Sequence, residues 1–466
     1  MQKAFGVVVA AVLLSTNSSG ARFIRESVFS DMSSDEIATA PDAKQTVTIA
    51  SVIAAAHGAS PVLCALASQS VRGYGWGGSS DAPSTPLNLV VSVAENEDAA
   101  PRLSDENVNL LLQSLASDDP CVRELAATMS GRKNSPSLIA GLIARLTDSS
   151  PALREVSALA LGFSEPPEAV DPLIHNLRDA TPGVRANSAW ALGRIENGRA
   201  LSPLLDVIGD KTEMVREAAI VAVGRMDSTR SASTLIKVLR SDDSPAVRRV
   251  AAWALGQLEA RDAVDGLGTA LAQDNDSKVR EMAAWALGSI ESKSAVSVLL
   301  NAARKDSDDR VRELSVWALG QIEDGSVADA VGDIAAHDSN PRVRGTAAWA
   351  IGQMRDENGR APAGLLALLR DENDDTRLKA AWALGQIGDS SALPAIHAAL
   401  NVEKNSRVST ALIRAMLKSG ERSEAALTKL IDSKDPRVRE AAVRSLAGRD
   451  SFNPWPWPWP RPRPFP

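Results

Sequence analysis

Histidine, cysteine and any net positive charge are what this 466-residue chain is short of, and each shortage removes a class of function. The four histidines, His57, His175, His337 and His397, are none of them followed by glutamate. That excludes the His-Glu-x-x-His of zinc peptidases and the His-Glu pairs of a di-iron centre, and leaves each histidine as a surface or packing residue. Two cysteines without a neighbouring His/Cys cluster make no zinc site, so no metal is expected. A formal charge of −7 argues against nucleic acid as a partner, because phosphate binding needs a basic stripe. Gly-x-Ser-x-Gly, Walker-type and dinucleotide motifs are missing, and with them the usual signs of a catalytic or cofactor site. No run of eighteen apolar residues follows the N-terminus, so no later helix is expected to span a membrane. Tyrosine and phenylalanine are few, but there are ten tryptophans.

What is present is repetition. The phrase Ala251-Ala252-Trp253-Ala254-Leu255-Gly256-Gln257 returns at Ala283–Ser289, Val316–Gln321, Ala347–Gln353 and Ala380–Gln386. A self-similar phrase at a fixed period marks stacked supersecondary units. The register is set by Arg123, Arg154, Arg185, Arg216, Arg248, Arg280, Arg312, Arg344, Arg377 and Arg439, spaced by 31 to 33 residues apart from one double step where Ser409 replaces the arginine. The result is eleven units between about Ser104 and Arg449.

Each unit reads as two helices. The first carries an apolar stripe, as in Ala232, Leu235, Ile236 and Leu239 or Leu365, Leu366 and Leu369. The second opens with a capping residue and, in six units, proline: Asp119-Pro120, Ser150-Pro151, Thr181-Pro182, Ser244-Pro245, Asn340-Pro341 and Asp435-Pro436. Thr212, Asp276, Asp308, Asn373 and Asn405 take the cap position elsewhere. Six residues before the repeat arginine stand Asp148, Asp179, Asp210, Asp242, Asp274, Asp306, Asp338 and Asp371. Carboxylates in the turns and guanidiniums at the helix starts predict an Asp–Arg ladder along the stack, a staple between repeats. Eight residues after the arginine comes glycine, for example Gly256, Gly288, Gly320 and Gly352. Mid-helix glycine costs about 1 kcal/mol against alanine, so it points to close approach of a neighbouring helix.

The turn aspartate, Val-Arg, Ala-Ala, Ala-Leu-Gly and the following isoleucine (Ile195, Ile290, Ile322, Ile387) resemble the HEAT repeat, specifically the short form of phycobilisome-lyase-like HEAT proteins. The resemblance covers about three-quarters of the chain. It implies an all-α fold, an α-solenoid of about eleven helix pairs, and says little about function, which lives in sites grafted on folds.

Outside the repeats, residues 1–21 read as a secretory signal: Lys3, the apolar Ala4–Leu14, then the small residues Ser18–Ala21. A secreted or periplasmic location follows as an expectation. Residues 22–72 form an N-terminal segment with two short helices, Thr46–His57 and Ser60–Arg72, and 73–103 is a Gly/Ser/Pro-rich linker. The solenoid occupies 104–450. Cys64 and Cys121 suit an exported protein and are candidates for a disulfide tying the N-terminal segment to the solenoid; two buried thiols are the other reading. In the tail, 451–466, alternating proline forces polyproline II geometry, and Trp455, Trp457, Trp459, Arg461 and Arg463 fit a membrane surface, a proline-reading partner or an unstructured end.

The remaining constellation is a tryptophan column. Trp190, Trp253, Trp285, Trp317, Trp349 and Trp382 lie five residues after the repeat arginine, and Arg194, Gln257, Ser289, Gln321, Gln353 and Gln386 lie four further on, along the same helical face. Indoles beside amides suit a protein or peptide on the concave face of a solenoid; indoles lying flat on the next repeat's alanines would equally fill the groove between helices. The two readings are compatible. The expected function is an exported, non-catalytic scaffold with no cofactor, a protein or peptide on its inner face and a tail that tethers it. The resemblance also implies an alternative, a lyase-type enzymatic subunit or an accessory of a membrane metallopeptidase signalling system.

Overall fold

The structure, a computed structural model, describes residues 49–58, 103–131, 135–226, 229–354, 359–421, 423, 428, 430–432 and 436–446. The proposed signal, Cys64, the linker and the tail lie outside these residues. No β-strand occurs among the described residues, and no described helix is long and apolar enough to cross a membrane.

The chain divides into two compact units at Met226–Asp227. The first contains α1 (Ile49–Ala56), α2 (Asp105–Ser114), α3 (Pro120–Gly131), α4 (Pro136–Arg145), α5 (Pro151–Ser164), α6 (Val170–Asn176), α7 (Pro182–Ile195), α8 (Leu201–Val207) and α9 (Glu213–Arg225). The second contains α10 (Ala232–Ser241), α11 (Pro245–Gln257), α12 (Val264–Gln273), α13 (Ser277–Ile290), α14 (Val296–Lys305), α15 (Asp309–Ile322), α16 (Ala328–His337) and α17 (Pro341–Gln353). It continues with α18 (Ala363–Ala367), α19 (Asp374–Ile387), α20 (Leu393–Val402), α21 (Ser406–Lys418) and α22 (Pro436–Leu446).

Within each unit short first helices alternate with longer second helices. The second helices pack on one another as a continuous row, α3, α5, α7 and α9 in one unit and α11, α13, α15, α17, α19 and α21 in the other. First helices touch their counterparts over less of their length. Most first helices are entered through a one-turn 3-10 helix, such as Lys293–Ala295 before α14. The seam between the rows is aliphatic: Leu138, Leu161, Leu173, Leu192 and Leu204 in the first unit, and Leu235, Leu255, Leu267, Leu287, Leu299 and Leu319 in the second, are sealed from solvent. Each such side chain contributes about 1.5–3 kcal/mol by leaving water.

Local signals explain the ends of the second helices. Asp276, Asp308, Asn340, Asn373 and Asn405 sit in extended N-cap geometry and accept from first-turn N–H groups. Ser150, Thr181 and Thr212 hold the same geometry without a side-chain cap bond; their own N–H groups donate instead to Asp148, Asp179 and Asp210. At the other end, Glu165, Glu196, Glu259, Glu291 and Glu323 adopt positive φ where Gly388 does so in a later repeat. Left-handed backbone ends these helices, and five glutamates carry a conformation that glycine takes without strain.

Helix α1 packs against α2 and α3, and the Gly58 N–H donates to Asp119 Oδ2 at 2.9 Å. That bond, opposed by burial and helped by the Cys121 N–H, holds the Asp119 carboxyl below its usual range.

Candidate functional site

The arginine ladder runs between repeats. Arg280 reaches Asp306 of the following repeat through Nε at 2.8 Å and Nη2 at 2.9 Å, while its Nη1 donates at 3.0 Å to the carbonyl of Asp274, its own turn aspartate. The same fork joins Arg154 to Asp179, Arg185 to Asp210, Arg248 to Asp274, Arg312 to Asp338 and Arg344 to Asp371. In the last rung Arg377 takes Glu403 in place of an aspartate. Arg216 donates to the carbonyl of Asp210. Asp242 follows the turn pattern, accepting from the Ser244 N–H. Each of these six aspartates thus closes its own turn and clamps the previous repeat. The Arg154 bond holds Asp179 below its usual pKa against the opposing pull of burial. At Asp274 burial is the stronger single influence and would raise the pKa, yet the bonds from Arg248 and the Asp276 N–H leave it lowered.

A second ionic row lies one position along the second helices and was not legible in the repeat phrase. Glu281 and Glu313 are buried, and Arg310 lies between them, 2.6 Å from Glu313 and 3.8 Å from Glu281, which also meets Lys278 at 2.8 Å. These charges tie α13 to α15.

The tryptophans sit on glycines. A Cβ added at Gly288 would stand 2.7 Å from Cζ3 of Trp317 and 2.9 Å from the Cα of Ala318. Trp190 covers Gly162 in the same way, and Trp285, Trp349 and Trp382 cover Gly256, Gly320 and Gly352. The recurring glycine is therefore the seat of the next repeat's indole as well as the point of close helix approach. Trp253, Trp317 and Trp349 are 9%, 6% and 8% exposed, so their rings are chiefly packing groups. Trp190, Trp285 and Trp382 are half-buried and keep an edge in solvent. Beside them Gln257 and Gln386 are exposed, and Gln321, Gln353, Ser289 and Arg194 half-exposed. Trp317 Nε1 is buried without a hydrogen-bond partner. In the first unit Phe163 meets Trp190 edge-on, ring centres 5.0 Å apart, and Arg194 pairs with Glu165.

Cys121 is buried at the start of α3, and no free cysteine occurs among the described residues. Cys64, Trp455, Trp457, Trp459, Arg461 and Arg463 lie outside them. No cluster of three or more His, Cys, Asp or Glu that could hold a metal ion is found among the described residues.

The family model for HEAT repeats matches residues 108–185, 170–243, 232–320, 296–363 and 361–447. The chain is a HEAT-repeat protein. A comparison with curated proteins returned no match. Among solved structures, the HEAT-repeat chain is similar to Kap95 in the Kap95:Nup1 complex, with TM-score 0.52 and 13% identity over 97% of this chain and 73% of that one. An engineered protein gives TM-score 0.39 and 22% identity over 74% and 99% of the two chains. The CpcE–CpcF complex of phycocyanin lyase from a Nostoc species gives 0.33 and 23% over 55% and 96%. At such identities likeness speaks for the fold alone, an α-solenoid.

Proposed function

We propose that this HEAT-repeat protein is an exported, non-catalytic scaffold that binds a protein or peptide along the inner, concave face of its second helices. The observation that carries the reading is the row of amides beside seated indoles. In the second unit the glycine seats hold the rings of Trp285 and Trp382 in place with one edge in solvent, and Gln257, Gln321, Gln353 and Gln386 stand next to that row with polar ends available. A pre-ordered row of apolar edges and amide donors binds an extended chain without first losing side-chain entropy. The closer packing of second helices than of first helices supports placing this row on the inner side. The protein complex formed by the similar Kap95 is in keeping with a protein partner. The short repeat and its Ala-Leu-Gly phrase support a phycobilisome-lyase-like subtype as the nearer kinship.

The test must avoid the buried rings, because Trp317→Ala would damage packing whatever its role. Gln257→Ala, Gln353→Ala and Gln386→Ala in one chain leave the seam intact. We expect crosslinked partners, identified by mass spectrometry in the native envelope, to be lost from this triple variant at unchanged circular dichroism. Retention of every partner would refute the inner-face site. Export follows from residues 1–21, and sequencing the mature N-terminus tests it. For the tail, removal of 451–466 is expected to release the protein from anionic vesicles; vesicle binding that survives the deletion removes the tether from the proposal.

A further inference from the structure

At the register that carries glutamine in Gln257, Gln321, Gln353 and Gln386, the first unit carries Arg194 and Arg225 on the adjacent helices α7 and α9. The neutral repeats show that the helix pair does not need an arginine here. Arg225 is half-buried, its Nε is enclosed without a partner, and it has no hydrogen bond or ion pair to any described residue. Arg194 spends Nη2 on Glu165, while its Nε is likewise enclosed and unpartnered. Burial first, and then the Arg194 charge, push the Arg225 guanidinium pKa down against the pull of Glu196 and Glu165. A half-buried cation facing another cation is unfavourable in the free chain, and an arriving anion relieves it. On α7, four residues before Arg194, Trp190 meets Phe163 of α5 edge-on.

We infer that Arg194 and Arg225 form the docking site for a side-chain carboxylate of an acidic peptide segment in the protein partner. This deepens the scaffold reading and rests on it. A planar carboxylate matches the guanidinium fork. The rim glutamates Glu165 and Glu196, and a chain charge of −7, oppose a phosphate dianion or a nucleic acid more strongly than a monoanion.

The experiment is a displayed random-decapeptide selection on the full chain, followed by fluorescence anisotropy of the most enriched peptide. We expect Asp or Glu to be enriched, and Asp→Asn or Glu→Gln in the peptide to weaken binding at least tenfold. Arg225→Gln, which installs the residue found at this register elsewhere in the chain, should weaken binding at least tenfold while its thermal midpoint stays level or rises. Arg261→Gln, at an exposed position in the second unit, should bind as the parent does. A fall in the midpoint with unchanged affinity would make Arg225 a structural residue and overturn the inference. Peptides without acidic enrichment, or stronger capture of a labelled oligonucleotide that Arg225→Gln abolishes, would overturn it as well. If selected peptides ignore Arg225→Gln but are lost in the Gln257/Gln353/Gln386 variant, the scaffold reading stands and this site falls. If the parent enriches no peptide and crosslinks no partner, both fall.

Discussion

A single methyl group separates the two kinds of helical glycine in this protein. At Gly288 a Cβ collides with the Trp317 ring and with the backbone of Ala318, which cannot move away. At Gly268 the nearest atom is Cγ1 of Val298 at 3.5 Å, an ordinary contact. Gly288→Ala should therefore destabilise by about 1–3 kcal/mol through overpacking, although alanine is the better helix former. Gly268→Ala should stabilise by about 0.5–1 kcal/mol, since only the propensity term acts. Urea unfolding of the two variants checks both signs. Where the next repeat lacks tryptophan, the glycine meets helix alone: Gly385 would place its Cβ 3.4 Å from the Cα of Ala415, and the seat is empty of a ring. Glycine and indole thus belong to one contact, a pairing the repeat spacing displays but does not explain.

Between elements the arginine ladder is the strongest polar link. In Asp306→Asn the Arg280 fork would lose its charged acceptor while still half enclosed, at a cost of about 2–4 kcal/mol. Hydrogen exchange should rise in α13 and around the α14–α15 turn, which the rung joins, and this localisation is the measurement that separates a staple from a surface pair. The pH dependence has a fixed sign. Carboxylates such as Asp179, lowered from 3.8 by Arg154, add stability that is fully present above that value and lost as pH falls through the folded value. The thermal midpoint should stay flat from about pH 8 to pH 5 and drop below about pH 4, and Asp179→Asn should remove part of the drop. The raised arginines contribute nothing in this window, since their charge is constant throughout it. In sequence the ladder was visible as a spacing of six, but its pairing was not. The guanidinium meets its own aspartate's carbonyl and the next repeat's carboxylate, a choice made by the rise between helices. The rung from Arg377 to Glu403 keeps that spacing, Glu403 standing six residues before Ser409, whereas the buried Glu281–Arg310–Glu313 row had no counterpart in it.

On the scale of the whole chain, each repeat inside a unit touches its neighbours there, so perturbations should stay local. Asp371→Asn is expected to loosen α17 and α19 and leave α5 and α7 unchanged in hydrogen exchange, and paired with Asp179→Asn its effects should add within about 0.5 kcal/mol. The chemistry expected at the ends, a mass change on reducing and alkylating Cys64 and Cys121, is a property of the intact chain and is read by mass spectrometry. Period, helix pairs and capping residues are local or nearest-neighbour features, and the sequence by itself determined them: proline after a short polar cap, an apolar stripe and a recurring arginine leave one economical way to bury the aliphatic faces. Only the tertiary structure decided what each repeated residue does. Which indoles are sealed and which keep an edge, which carboxylate an arginine clamps, and that the Nε of Arg225 is left enclosed without a partner all depend on how far one helix stands from the next. That separation is set by the packed surfaces of two repeats together and is written in neither one alone.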